Sequence, residues 1–84
     1  MKSIAFSKDA LRTLLRMPVN VARTIRAKLD EYATDPASLR NNVKALKGEP
    51  GVLRLCVGDW RILFTEDGDV IAIIRIAPRG RAYD

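Results

Sequence analysis

The chain has 84 residues and a mass of 9.4 kDa, which is enough for one small core and too little for two. It has no histidine and one cysteine, Cys56. Within one chain this excludes Cys/His zinc sites, disulfide frameworks and histidine-based triads. Fifteen Lys and Arg, ten of them Arg, stand against ten Asp and Glu for a net charge of +5, a balance that invites an anionic partner such as RNA, DNA, an acidic protein or a membrane surface.

A hydrophobic content of 48% suits a folded domain and not a disordered tail. No apolar run approaches the roughly 20 residues of a membrane span. The start, Met1 to Phe6, carries a positive charge but lacks the apolar core of a secretory signal. One unpaired cysteine fits a reducing, cytoplasmic setting. No repeat, low-complexity tract or linker divides the sequence, so residues 1–84 read as a single domain.

Residues 2–6 hold a short apolar run suited to a strand. Ser7 is a natural N-cap, and Asp9 sits where a helix dipole favours negative charge. Ala10, Leu11, Leu14 and Leu15 follow at helical spacing, and Pro18 interrupts. A first helix is expected over about residues 8–16. Ala22, Ile25, Leu29, Tyr32 and Ala33 form one apolar stripe of a second helix, with Arg23, Arg26, Asp30 and Glu31 on its solvated side. Asp35-Pro36 should stop it near residue 34.

After residue 50 the period changes to two. Residues 52–57 and 60–65 alternate around the turn signal Gly58-Asp59. Asp67-Gly68 signals a second hairpin. Val70 to Ala77 is a β-branched run fit for a central strand buried on both faces, and Pro78 ends it. The reading is α+β: an N-terminal strand, a helical hairpin, then a three-stranded antiparallel meander with the helices on one sheet face.

The hairpins place the arginines. With Gly58-Asp59 as a two-residue loop, Val57 faces Trp60 and Arg54 faces Leu63. With Asp67-Gly68 as the other, Glu66 faces Asp69 and Arg61 faces Ile74. Facing side chains share a side of the sheet. Leu53, Leu55, Val57, Trp60, Ile62, Phe64, Ile71 and Ile73 then make the face the helices cover. Arg54, Cys56, Arg61 and Leu63 share the other. The expected surface is a concave, partly open face rimmed by Lys44, Lys47, Arg54, Arg61, Arg79, Arg81 and Tyr83. Guanidiniums suit bidentate phosphate contact, and a tyrosine offers a ring to stack and a hydroxyl.

Blander readings stand beside these. Arg54 and Arg61 also suit solvated strand positions, Arg75 could pack on Trp60, and Lys44 and Lys47 could be a solvated face. Arg81 and Tyr83 lie close to the end of the sequence. Cys56 has no base or oxyanion partner in the sequence. Glu66, Asp67 and Asp69 read as turn chemistry rather than as a metal site.

Three segments carry a family likeness: Val43 to Gly48, Leu53 to Phe64, and Ile76 to Tyr83. On them the chain resembles the RelE/ParE superfamily of bacterial toxin–antitoxin toxins. The resemblance implies a type II toxin neutralised by a small antitoxin protein, the pair able to bind operator DNA through the antitoxin. RelE-type members are ribosome-dependent mRNA endonucleases that act without metal or cofactor. ParE-type members instead inhibit DNA gyrase, and a degenerate member would only bind its antitoxin. Matched to the RelE pattern, Arg54, Arg61, Arg79 and Tyr83 are the catalytic candidates; from their place on the basic rim, Lys44, Lys47 and Arg81 are the RNA-binding ones. The chain departs from that pattern at Pro78, where many ribosome-dependent relatives carry histidine.

The chemistry suits the composition. RNA brings its own nucleophile, the 2′-OH, so the protein need only align it and stabilise charge on the phosphate. Arginine does the second. It stays protonated and is a poor base, so proton transfer would fall to Tyr83, whose phenol would need a value below the ordinary one near 10.

Overall fold

Ser7 and Pro18 punctuate the first half as their chemistry requires. The computed structural model describes residues 2–80; the expectations for Arg81 and Tyr83 lie outside them. Strand β1 is Ser3–Phe6 and helix α1 is Lys8–Arg16. The Ser7 hydroxyl accepts the Ala10 N–H at 3.0 Å, satisfying one of the free donors of the first turn. Asp9 in that turn and Arg16 in the last complement the helix dipole. Helix α2 is Val19–Thr34, and its buried stripe is Ile25, Leu29, Tyr32 and Ala33. It closes at Asp35, whose N–H donates to the Glu31 carbonyl at 2.9 Å, just before Pro36.

The next stretch carries no sustained periodic signal in the sequence. A run of 3-10 turns over Pro36–Asn42 leads into a three-residue strand β2, Val43–Ala45. Strands β3 (Leu53–Val57), β4 (Trp60–Asp67) and β5 (Val70–Pro78) follow. The sheet order is β1-β5-β4-β3-β2. β1 runs parallel to β5, and the remaining pairs are antiparallel. So β5 is an interior strand over residues 70–73, where it meets β1, as its apolar run implied.

The first hairpin has the expected register, with Val57 opposite Trp60 and Arg54 opposite Leu63. The second does not. Asp67, not Glu66, opens the turn opposite Val70, so the loop is Gly68-Asp69. Both loops are thus Gly-Asp, with glycine first at a left-handed φ of 56° and 59°, the conformation glycine adopts without cost. Further along, a bulge between Leu63 and Phe64 inserts Ile74, and Arg61 faces Ala77 rather than Ile74. The bulge has a clear physical reason. Strict alternation after Ile71 and Ile73 would turn Arg75 toward the core. One extra residue re-phases the strand, so Ile76 fills the core and Arg75 stays exposed.

The core lies between the helices and one sheet face. Phe64, Ile25, Leu29, Leu55, Ile62, Ile71 and Ile73 are its largest fully buried side chains. Leu53 and Trp60 pack partly buried against it. At one end of the sheet the Tyr32 hydroxyl donates to Glu66, and Lys2 pairs with the same carboxylate at 2.8 Å. Burial first, then Glu66, pushes the Tyr32 phenol well above its ordinary value. The hydrogen bonds from Lys2 and Tyr32 hold the Glu66 carboxyl below 4.5.

Candidate nucleic-acid interface

The second sheet face is built by register alone. Lys44 of β2 faces Arg54 of β3, Arg54 faces Leu63 of β4, and Leu63 faces Arg75 of β5. One row across four strands therefore begins with two cations side by side. In the neighbouring row Cys56 faces Arg61, and Arg61 faces Ala77. Arg54 and Arg61 are thus diagonal neighbours on one face, about 7–8 Å apart by general sheet geometry. Leu63 and Ala77 are buried here outside the helix-side cluster and give the cations an apolar floor.

Two arginines converge on the β3–β4 turn. Arg61 Nη1 donates to the Gly58 and Trp60 carbonyls, each at 3.0 Å. The Arg79 backbone N–H donates to the Asp59 carbonyl at 2.6 Å, which returns the chain leaving β5 to the same turn. Arg61 spends two of its five donors on these carbonyls and keeps three. Arg54 is half-buried, and its Nε is a buried donor with no hydrogen-bond partner among the described residues. A donor in that state needs an acceptor, and a phosphate oxygen is a strong one.

Other expected members sit elsewhere. Lys47 is exposed in the turn joining β2 and β3, one residue past Leu46, whose N–H donates to the Val52 carbonyl at 2.9 Å. Nothing in the described residues ties its ammonium to the row. Arg75 occupies the row's fourth position by register, yet its side chain lines a cleft of about 540 Å³ between α1 and β5, with Asp9, Thr13, Arg16 and Trp60. The register sets it opposite Leu63, not Trp60; the ring–cation contact that does occur is Arg26 over Phe6, at 5.5 Å. Arg81 and Tyr83 lie outside the described residues. Sequence reasoning missed the direct pairing of Lys44 with Arg54. Its signal was present: Val43, Lys44 and Ala45 alternate, but three residues are too few to announce a strand.

Residues 4–83 match the model of the ParE toxin of type II toxin–antitoxin systems. The chain belongs to that toxin family. Its expected α+β architecture and its resemblance to RelE/ParE toxins both hold. This ParE-family chain is 26% identical over 83 residues to the toxin RelE3 of Methanocaldococcus jannaschii, covering 96% of the chain and 94% of that protein. Two solved structures share its fold. The archaeal RelE of a RelE–RelB complex from Pyrococcus horikoshii superposes with a TM-score of 0.78 at 24% identity, covering 96% of this chain and 98% of that one. The toxin–antitoxin complex RelBE of E. coli gives 0.76 at 20% identity, covering 96% and 100%. Archaeal relatives widen the bacterial family the sequence suggested.

Among the described residues no group of three or more His, Cys, Asp and Glu side chains is placed to hold a metal ion. No helix of the described residues is long and apolar enough to cross a membrane.

Proposed function

We propose that this toxin cleaves mRNA on the ribosome, in the cytoplasm, and that an antitoxin protein restrains it. The convergence of Arg61 and Arg79 on the Gly58-Asp59 turn, beside an Arg54 with an unpaired donor, carries this reading. Arg61 and Arg79 hold the non-bridging oxygens of the scissile phosphate. Arg54 supplies a further charge, and Lys44, with Lys47 and Arg81, docks the strand. The 2′-oxygen forms a bond to phosphorus while the bond to the 5′-oxygen breaks. Tyr83, as the phenolate, takes the 2′-OH proton, and the leaving 5′-oxygen receives one from solvent. Guanidiniums aimed at charge that grows in the transition state are the main source of rate.

The antitoxin is supported by the RelB chains that accompany the related RelE toxins. Inducing the chain and mapping mRNA ends by primer extension tests the nuclease. Discrete cuts that vanish with Arg61→Ala support it, and growth arrest with intact mRNA refutes it.

The ParE name of the matched family favours a second reading, inhibition of DNA gyrase without cutting RNA. That reading expects DNA-damage signalling while mRNA stays whole.

A further inference from the structure

Strand β1 accompanies β5 only over residues 70–73. There the Ser7 N–H donates to the Ile73 carbonyl at 2.9 Å, its hydroxyl donates to the Ile74 carbonyl at 2.6 Å, and the chain turns away into α1. β5 runs on to Pro78 with no strand on that side among the described residues. A cleft of about 540 Å³ lies between this open edge and α1. Asp9, Thr13 and Arg16 line it from the helix, and Trp60, Arg75 and Pro78 from the sheet. Its size falls within the roughly 300–1,000 Å³ of small-molecule sites.

Arg16 and Arg75 are exposed, and neither forms an ion pair among the described residues. Two free guanidiniums in one cleft invite a phosphate. A bare phosphate leaves the other walls unused. Trp60 is half-buried and offers an indole ring. The Asp9 carboxylate accepts only, and the Thr13 hydroxyl already donates to the Asp9 carbonyl at 3.2 Å, so both call for donors. A run of acidic side chains supplies the anion but meets Asp9 with like charge. A nucleotide supplies all three needs: a phosphate for the guanidiniums, a flat base for the indole, and hydroxyl or amine donors for Asp9 and Thr13. We propose that the α1–β5 cleft binds a nucleotide, either free or as one unit of an RNA strand. Trp60 faces Pro78 across β4 and β5, one residue before Arg79, and the Trp60 carbonyl accepts from Arg61 Nη1 at 3.0 Å. The cleft therefore adjoins the arginine site around the end of the sheet, yet nucleotide binding in it does not depend on the cleavage reading.

Trp60 is the single tryptophan, so its fluorescence reports on the cleft directly. The purified chain is titrated with AMP and, separately, with a short oligoadenylate; a base against the indole quenches the emission. Saturable quenching below about 1 mM is expected. Arg16→Ala/Arg75→Ala should weaken it at least about tenfold, as loss of charged hydrogen bonds does, and Arg75→Glu alone should do as much. These variants should melt like wild type, because both arginines are exposed. Quenching by both probes assigns a mononucleotide site, and quenching by the oligonucleotide alone assigns a seat for one unit of a strand. Arg61→Ala should leave the AMP titration unchanged. No quenching by either probe, or quenching that Arg16→Ala/Arg75→Ala retains, overturns the inference. A wild type that is quenched but cuts no mRNA overturns the cleavage reading instead.

Discussion

The backbone N–H of Arg79 donates to the carbonyl of Asp59 at 2.6 Å. That bond crosses from the end of β5 to the β3–β4 turn, where Arg61 Nη1 already donates to Gly58 at 3.0 Å. One Gly-Asp turn thereby sets the positions of two arginines that are 18 residues apart in sequence.

Gly58 holds a φ of 56°, and an added Cβ would meet nothing within 4 Å. Gly58→Ala therefore acts through backbone strain alone, at about 1 kcal/mol. Thermal melting should show a small loss, which Gly58→Asn, more tolerant of that conformation, recovers in part. Growth arrest should fall more than the melting shift explains, because the turn orients both arginines.

Lys44 faces Arg54 across β2 and β3. As a docking charge, it should contribute affinity without selecting sequence. Lys44→Ala should weaken RNA binding a few-fold on every sequence and lower the salt slope by about one. Filter binding at several salt concentrations measures both. An unchanged slope places Lys44 off the RNA path.

Glu66 binds Tyr32 and Lys2 at once. Tyr32→Phe removes one hydrogen bond and leaves the carboxylate its lysine, so a loss of about 1 kcal/mol is expected in urea unfolding. The folded protein holds the Glu66 carboxyl below its ordinary 4.5. The unfolded chain then takes up that proton more readily, so the stability Glu66 supplies is complete above about pH 4.5 and is lost as pH falls through the folded value. Melting from pH 6 to 3 should show this loss, reduced in Glu66→Gln.

Much of this architecture could be read from the residues. Ser7, Pro18 and Asp35-Pro36 bounded two helices because capping and proline chemistry act locally. The faces of β3 and β4 were legible because one alternating pattern ran through both. The second hairpin resisted for two reasons. Asp67-Gly68 is a stronger turn signal than Gly68-Asp69, yet the chain turns on the latter. The slip moved the pairing by two residues, which kept every side chain on its expected face. The bulge at Ile74 then changed the phase, a non-local solution to the problem of Arg75. In the site, Arg54 and Arg61 were legible from one turn. The return of Arg79 to Asp59 was not, since it depends on the length of β5 after the bulge.

Arg61 is proposed to stabilise charge on the scissile phosphate of mRNA. A purified translation system programmed with a defined message tests it most directly, by the cleavage rate of wild type, Arg61→Lys and Arg61→Ala. Ribosome-dependent cuts are expected, slowed on the order of 10²–10³-fold by Arg61→Ala and less by Arg61→Lys, which keeps the charge but loses the fork. Cleavage by Arg61→Ala at the wild-type rate, or no cleavage by the wild type, would contradict it.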